Sequence, residues 1–145
     1  MQHVILNLQD GDQARAAALL RAQRWALGHD ERHGSVLAPG DLVLIHVGRP
    51  RCEFVGSATL ASALHDWTPA QAQACPDGGS GGVLLADVRT WPRAVTLQAA
   101  AARIDPDGTN PHVQANAAGF RAGVVLITAG EYATVLALGS EGRQP

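Results

Sequence analysis

Apolar residues in this chain come in short dense runs, each closed by a turn-forming residue. The first, Val4-Ile5-Leu6-Asn7-Leu8, is rich in β-branched side chains and stops at Asp10-Gly11, which predicts a buried strand. Asp12 is placed to cap a helix, because its carboxylate can accept the unpaired amide hydrogens of a first turn. From Gln13 to about Arg24 every residue is alanine, leucine, arginine or glutamine, all strong helix formers. Ala16, Leu19, Leu20 and Gln23 share one face of that helix. Arg15, Arg21 and Arg24 lie on or beside the opposite, wet face, so the helix should pack against a sheet.

Residues 25–38 contain Gly28, Gly34 and several charged side chains and predict an irregular loop. Pro39-Gly40-Asp41 reads as a turn into a strand at 42–47, Gly48-Arg49-Pro50-Arg51 as a hairpin tip, and 54–60 as the returning strand. Asp66 or Thr68, followed by Pro69, marks a helix start that should end near Cys75-Pro76. The run Asp-Gly-Gly-Ser-Gly-Gly at 77–82 has a linker composition; without a GK[ST] ending it is not expected to cradle phosphate. Strands follow at 83–88 and 95–104, the latter carrying an alanine run equally suited to a helix. A loop at 105–119, a last strand at 124–128 and a closing helix at 131–138 complete the pattern. Six strands with antiparallel neighbours and three helices predict one α+β domain over 1–139 with a curled, barrel-like sheet, then a flexible tail at 140–145.

Composition narrows the chemistry. With 145 residues, 46% hydrophobic and 17% charged, the chain can bury a substantial core without disulfides or metal. All 11 basic residues are arginine, which excludes a Schiff-base lysine, a P-loop lysine and a Ser–Lys dyad in this chain. The formal charge of −2 argues against coating duplex DNA by charge alone but leaves room for local arginine clusters. Cys52 and Cys75 are isolated and show no CxxC spacing. The N-terminal residues show no signal-peptide pattern, and no apolar run approaches the roughly 20 residues of a spanning helix. A cytoplasmic protein without a membrane partner is expected.

Catalytic signals are weak. His29 and His33 have a metal-ligand spacing if helical, but glycines bracket them and the run is hydrophilic, so a solvated loop is expected there and no metal site. His46 lies among apolar neighbours and reads as a core or cleft histidine. None of Ser35, Ser57, Ser62 and Ser140 has GxSxG spacing, Ser80 meets it only inside the glycine run of linker composition, and nothing pairs Cys52 with a particular histidine. No catalytic residue and no cofactor is expected. The aromatics say more: of six, three are tryptophan. Trp25, Trp67 and Trp91 fall at the ends of predicted elements, where flat rings often stack on planar ligands.

The order of motifs resembles the EVE domain, a member of the PUA-like superfamily related to YTH and ASCH domains. The resemblance rests on Ile-Leu-Asn-Leu, Gln-Arg-Trp-Ala-Leu-Gly, Ala-Pro-Gly-Asp-Leu-Val-Leu-Ile-His, Phe-Val-Gly-Ser-Ala and Gly-Phe-Arg-Ala-Gly-Val-Val-Leu-Ile-Thr before Glu-Tyr, which together span most of the chain. It implies a PUA-like curled mixed β-barrel of about five to six strands flanked by short helices. It also implies a non-enzymatic pocket that reads a flipped, modified base of DNA or RNA. Trp25 and Trp67 match the relative positions of the aromatic-cage walls in YTH relatives, Asn7 matches the polar reader at the end of the first strand, and Ala26 supplies backbone contacts. Arg49, Arg51, Arg89 and Arg93 are the expected phosphate contacts, since an arginine fork binds phosphate bidentately. The chain departs from its relatives in being slightly acidic and in lacking the lysine on which ASCH amidohydrolases rely. Two other functions compete with the base reader. One is a small amide or nucleoside hydrolase using His29, His33 or His46, with or without metal. The other is a regulatory subunit of a nuclease system, and an effector chain is the expected partner of any bare reader.

Overall fold

A computed structural model describes residues 1–28, 30–75, 78–116 and 119–141. Its centre is a parallel pair. Strand β1 (His3–Leu8) lies beside β3 (Leu42–Val47), with Ile5 opposite Leu44 and Asn7 opposite His46. Parallel strands need a crossover, here made by helix α1 (Gln13–Arg21), the short strand β2 (Arg24–Ala26) and a 3-10 turn at Gly34–Val36. Asp12 caps α1 as its sequence position predicts, accepting from the Arg15 amide at 3.0 Å. The Pro39-Gly40-Asp41 turn is held by the buried Asp41 carboxylate, which accepts from the amides of Gln2 at 2.9 Å and Ala38 at 3.0 Å.

The remaining elements wrap this pair. Strand β4 (Glu53–Leu60) returns antiparallel to β3, and β6 (Gly81–Thr96) runs antiparallel to β4 with register shifts that bend it. The early part of β6 pairs with β2 and with the two-residue strand β5 (His65–Asp66), while β7 (Val124–Ile127) closes the far edge on β1. The order β2-β6-β4-β3-β1-β7 makes a mixed, curled sheet. Helices α2 (Pro69–Ala74), α3 (Leu97–Ile104), α4 (Pro111–Ala115) and α5 (Ala129–Glu141) flank it. This is the α+β architecture with a curled, barrel-like sheet that the sequence predicts. Among the described residues no helix is long and apolar enough to cross a membrane.

Both faces of the parallel pair are covered, which is why its strands read as near-continuous apolar runs. Val4, Leu6, Val43 and Ile45 face α1 and share a core with Trp25 and Val83. Ile5 and Leu44 face the other way, into a second core with Phe54, Trp91, Leu97 and Val135. Side chains alternate along a strand, so Asn7 and His46 belong to the second face.

Several local expectations are corrected. Of the segment 95–104, residues 95 and 96 end β6 and the rest, with the alanine run, folds as helix α3, because alanine is the best helix former and Thr96 caps the first turn by accepting from the Ala99 amide at 3.1 Å. The loop at 105–119 contains α4, capped by Asn110 with Pro111 at its first position. Helix α1 stops three residues early, where Gln23 takes a positive φ of 57°, and Arg24 is buried instead of wet. Of the tail expected at 140–145, residues 142–145 lie outside the described residues, and the closing helix runs to Glu141. Gly81 and Gly82 are no linker. They open β6 at a point where backbones nearly touch: a Cβ on Gly82 would stand 1.9 Å from the Trp25 carbonyl oxygen and one on Gly81 2.6 Å from that of His65.

Trp25 is 1% exposed, between α1 and the sheet. Trp25→Ala should therefore lower unfolding free energy by about 3–5 kcal/mol through lost burial and a residual cavity, read as a shifted midpoint in urea. A loss below about 1 kcal/mol would contradict this placement.

Candidate functional site

The C-terminal ends of β1 and β3 meet at a pair of buried polar side chains. Asn7 is 4% and His46 0% exposed, and the imidazole Nδ1 lies 2.8 Å from the Asn7 Oδ1. The Asn7 amide nitrogen donates to the carbonyls of Ala122 at 3.1 Å and Phe120 at 3.4 Å. Carbonyls accept only, so the amide's orientation is fixed and Oδ1 must face the histidine. The proton on the His46 ring then sits on Nδ1, and Nε2 carries a bare lone pair. Among the described residues Nε2 is the one buried side-chain polar atom without a hydrogen-bond partner. Burial pulls the imidazole pKa from 6.5 down to about 4, which keeps the ring neutral near pH 7.

Two phenylalanines enclose the ring. Phe54 and Phe120 meet it edge-on, with centroids 4.9 and 4.8 Å away. The segment carrying Phe120 is tied to the end of β1: the Asn7 amide donates to the Gly123 carbonyl at 2.8 Å and the Gln9 side chain to that of Arg121.

Above this pair lies a cleft of about 330 Å³ lined by Gln9, Gly48, Arg49, Ala115, Gly119, Phe120 and Arg121. Gly48 forms part of its floor, where a Cβ would stand 3.6 Å from the Asn7 Oδ1, so the polar pair is one residue's thickness below. Arg121 and Ala115 also line an adjoining cleft of about 660 Å³, together with Arg32, His33, His112 and Asn116. Phe120 also borders a small, mostly apolar cavity of about 50 Å³ lined by Ile5, Leu44, Phe54, Leu97 and Val135 among others. The surface therefore combines a concave site, one aromatic wall and arginines on its rim.

The residues singled out by sequence separate into two groups. Asn7 is in this site and Arg49 on its rim. Trp25 and Trp67 lie elsewhere, since Trp25 faces the opposite side of the sheet from Asn7. The Trp67 indole donates to the Gly78 carbonyl at 2.7 Å, and the Arg24 guanidinium stands 5.3 Å from its ring centroid. With 8% exposure its face is already occupied. Neither tryptophan nor Ala26 lines any of the five principal cavities of the described residues. The structure thus does not bring Asn7 and the two tryptophans into one cage. Trp91 packs under α5, where Gly139 presses against its ring.

Of the remaining arginines, Arg51 turns toward Glu53 at 3.9 Å, Arg89 lines a different cleft with Asp87 and Tyr132, and Arg93 is an exposed position on β6. Histidines 33 and 46 occupy different surroundings, one in the open cleft and one inside the sheet, and His29 lies outside the described residues. Among the described residues no three His, Cys, Asp or Glu side chains converge as a metal site. Phe120 and Arg121 were not singled out from the sequence as site residues. Their signal was an aromatic and a cation side by side in a loop, Gly119-Phe120-Arg121.

No protein-family model and no curated protein sequence matches the chain. Solved structures do. A protein from Rhodopseudomonas palustris aligns over 97% of this chain and 94% of its own with 17% identity and a TM-score of 0.66. A hypothetical protein from Leishmania major aligns over 99% and 98% with 14% identity and a TM-score of 0.68. The ASCH protein of Zymomonas mobilis aligns over 94% and 95% with 14% identity and a TM-score of 0.58. At such identities the likeness is one of fold.

The buried histidine makes stability depend on pH. Its folded pKa, about 4, lies below the unfolded value of 6.5, so the unfolded chain binds the extra proton. The contribution is complete above pH 6.5 and is lost as pH falls toward 4, roughly 3 kcal/mol in all. Unfolding free energy should therefore decline between pH 6.5 and 5, and His46→Gln should flatten that decline. An unchanged slope in the variant would assign the effect to other groups.

Proposed function

We propose that this chain is a non-enzymatic nucleic-acid-binding module of the EVE type, which takes an extruded, modified base into the cleft at the ends of β1 and β3. The observation that carries the reading is the unpartnered Nε2 of His46, whose ring packs against Phe120, a residue that lines that cleft. A buried lone acceptor is costly until a donor reaches it, and the N–H groups of a base edge are such donors. Reaching it requires the Phe120 ring to swing aside, which turns the ring into a stacking surface. Stacking on an aromatic returns about 1–3 kcal/mol per base, against the few kcal/mol of extruding one. The cleft's volume of about 330 Å³ lies within the range of small-ligand sites, and the mostly apolar cavity that Phe120 borders suits an alkyl substituent on the base.

Arg49 and Arg121 would hold the flanking phosphates, while Asn7 keeps the acceptor fixed. This assignment moves the proposed reading face from Trp25 and Trp67 to Asn7, His46 and Phe120. A module of this kind carries no effector of its own, so a nuclease or another effector chain is its proposed partner. DNA and RNA share the chemistry invoked. A hydrolytic role for His46 has less support, because a base with a pKa of about 4 drives proton abstraction weakly at neutral pH.

The proposal is tested by titrating short modified and unmodified oligonucleotides into the protein at several salt concentrations. Saturable binding that favours one modification is expected. Arg49→Ala with Arg121→Ala should reduce the slope of log affinity against log salt by about 1 per arginine. No binding to any oligonucleotide, or an unaltered slope, would overturn the assignment.

A further inference from the structure

The loop between β2 and the 3-10 turn sends one side chain back into the molecule. A single oxygen of Glu31, Oε1, accepts from the backbone amides of Gly123 at 2.7 Å and Val124 at 3.0 Å. Successive amides converging on one oxygen are an anion-binding arrangement of the kind backbones use for phosphate. Position 123 is built for close approach: a Cβ there would stand 2.8 Å from the Glu31 Oε2 and 3.1 Å from Oε1. A side chain there would crowd an oxyanion seated on these amides, and the Glu31 carboxylate would have to shift.

The surroundings fit a diffuse external anion at least as well as a carboxylate from the same chain. Arg32, His33, His112 and Arg121 line the cleft of about 660 Å³ that Val124 and Ala122 also border. The segment ends next to the Asn7 site, since the Gly123 carbonyl accepts from the Asn7 backbone amide. An anion held at Gly123 and Val124 would thus continue the path from Arg49 through Arg121.

We infer that the amides of Gly123 and Val124 form a phosphate-binding site which Glu31 occupies as an internal stand-in in the free protein. The inference rests on the nucleic-acid reading only in taking the physiological phosphate to be that of a polynucleotide backbone. The site itself would bind inorganic phosphate. Binding displaces the carboxylate into solvent, where its charge is hydrated, and lets Arg32 and Arg121 pair with the incoming oxygens. Competition from Glu31 weakens binding in the wild type and makes the Glu31 side chain answer to ligand.

Inorganic phosphate titrated into ¹⁵N-labelled protein tests this at the two amides themselves. In the wild type the Gly123 and Val124 signals should shift only at high phosphate. In Glu31→Ala they should shift at about tenfold lower concentration, the factor expected when one charge-assisted competitor is removed. Glu31→Gln keeps an accepting oxygen and the loop tie without the charge, so it should lie between the two and serves if the alanine variant unfolds. Gly123→Ala in the Glu31→Gln background should abolish the response. Equal phosphate dependence in wild type and both variants would overturn the inference. So would shifts confined to residues around Arg49. A gain in phosphate affinity without any oligonucleotide binding would sink the nucleic-acid reading and leave this site standing.

Discussion

Three segments distant in sequence meet at the side chain of Asn7. Its oxygen accepts from the His46 Nδ1–H on β3, its nitrogen donates to the carbonyls of Phe120 and Ala122, and its backbone amide donates to the carbonyl of Gly123. The strand it sits on is parallel to β3 and antiparallel to β7, so one residue fixes how the first strand, the middle strand and the C-terminal segment close on each other. An apolar side chain at this position would leave the imidazole N–H buried without a partner, at a cost of about 1–3 kcal/mol, and would release the carbonyls of Phe120 and Ala122. A polar pair in an otherwise apolar core carries a cost at every atom left without a partner. Here it is satisfied except at one atom.

That exception links stability to function. A buried acceptor with no donor, an aromatic ring closing over it and arginines at the mouth above it are individually ordinary. Together at the ends of a parallel pair they support the proposed site for a planar ligand carrying an N–H edge and a nearby negative charge. The overall charge of −2 does not oppose this, because Arg32, Arg49 and Arg121 border two connected clefts. Electrostatic attraction is local here.

Much of the fold was legible in the sequence where runs were dense and bounded by turn chemistry. Strand β3 spans 42–47 as its flanking Pro-Gly-Asp turn and hairpin require, and the caps at Asp12 and Thr68 work as their positions suggest. Elements too short to show a period were hidden: β2 has three residues and carries Trp25, which looked like a loop aromatic and is a core one. Gly81 and Gly82 have the composition of a linker and the role of a close backbone contact, a distinction that only the pairing reveals. The site was half legible. Period-two alternation puts Asn7 and His46 each on a definite face, but that those faces coincide follows from the parallel pairing of β1 with β3. Nothing in the local pattern specifies that pairing. The motif order singles out Asn7, which lies beside the cleft, whereas Trp25 lies on the other side of the sheet and Trp67 is already stacked, so neither joins it.

The central claim is that Asn7 holds His46 with its proton on Nδ1, so that a bare Nε2 waits for a ligand donor. Nitrogen-15 NMR of the labelled imidazole measures this directly. Near neutral pH the account predicts a protonated Nδ1 and an unprotonated Nε2, with the Nε2 resonance moving toward that of a hydrogen-bond acceptor when a bound oligonucleotide saturates the cleft. A ring protonated at Nε2, or an Nε2 resonance that saturating oligonucleotide leaves unmoved, would contradict it.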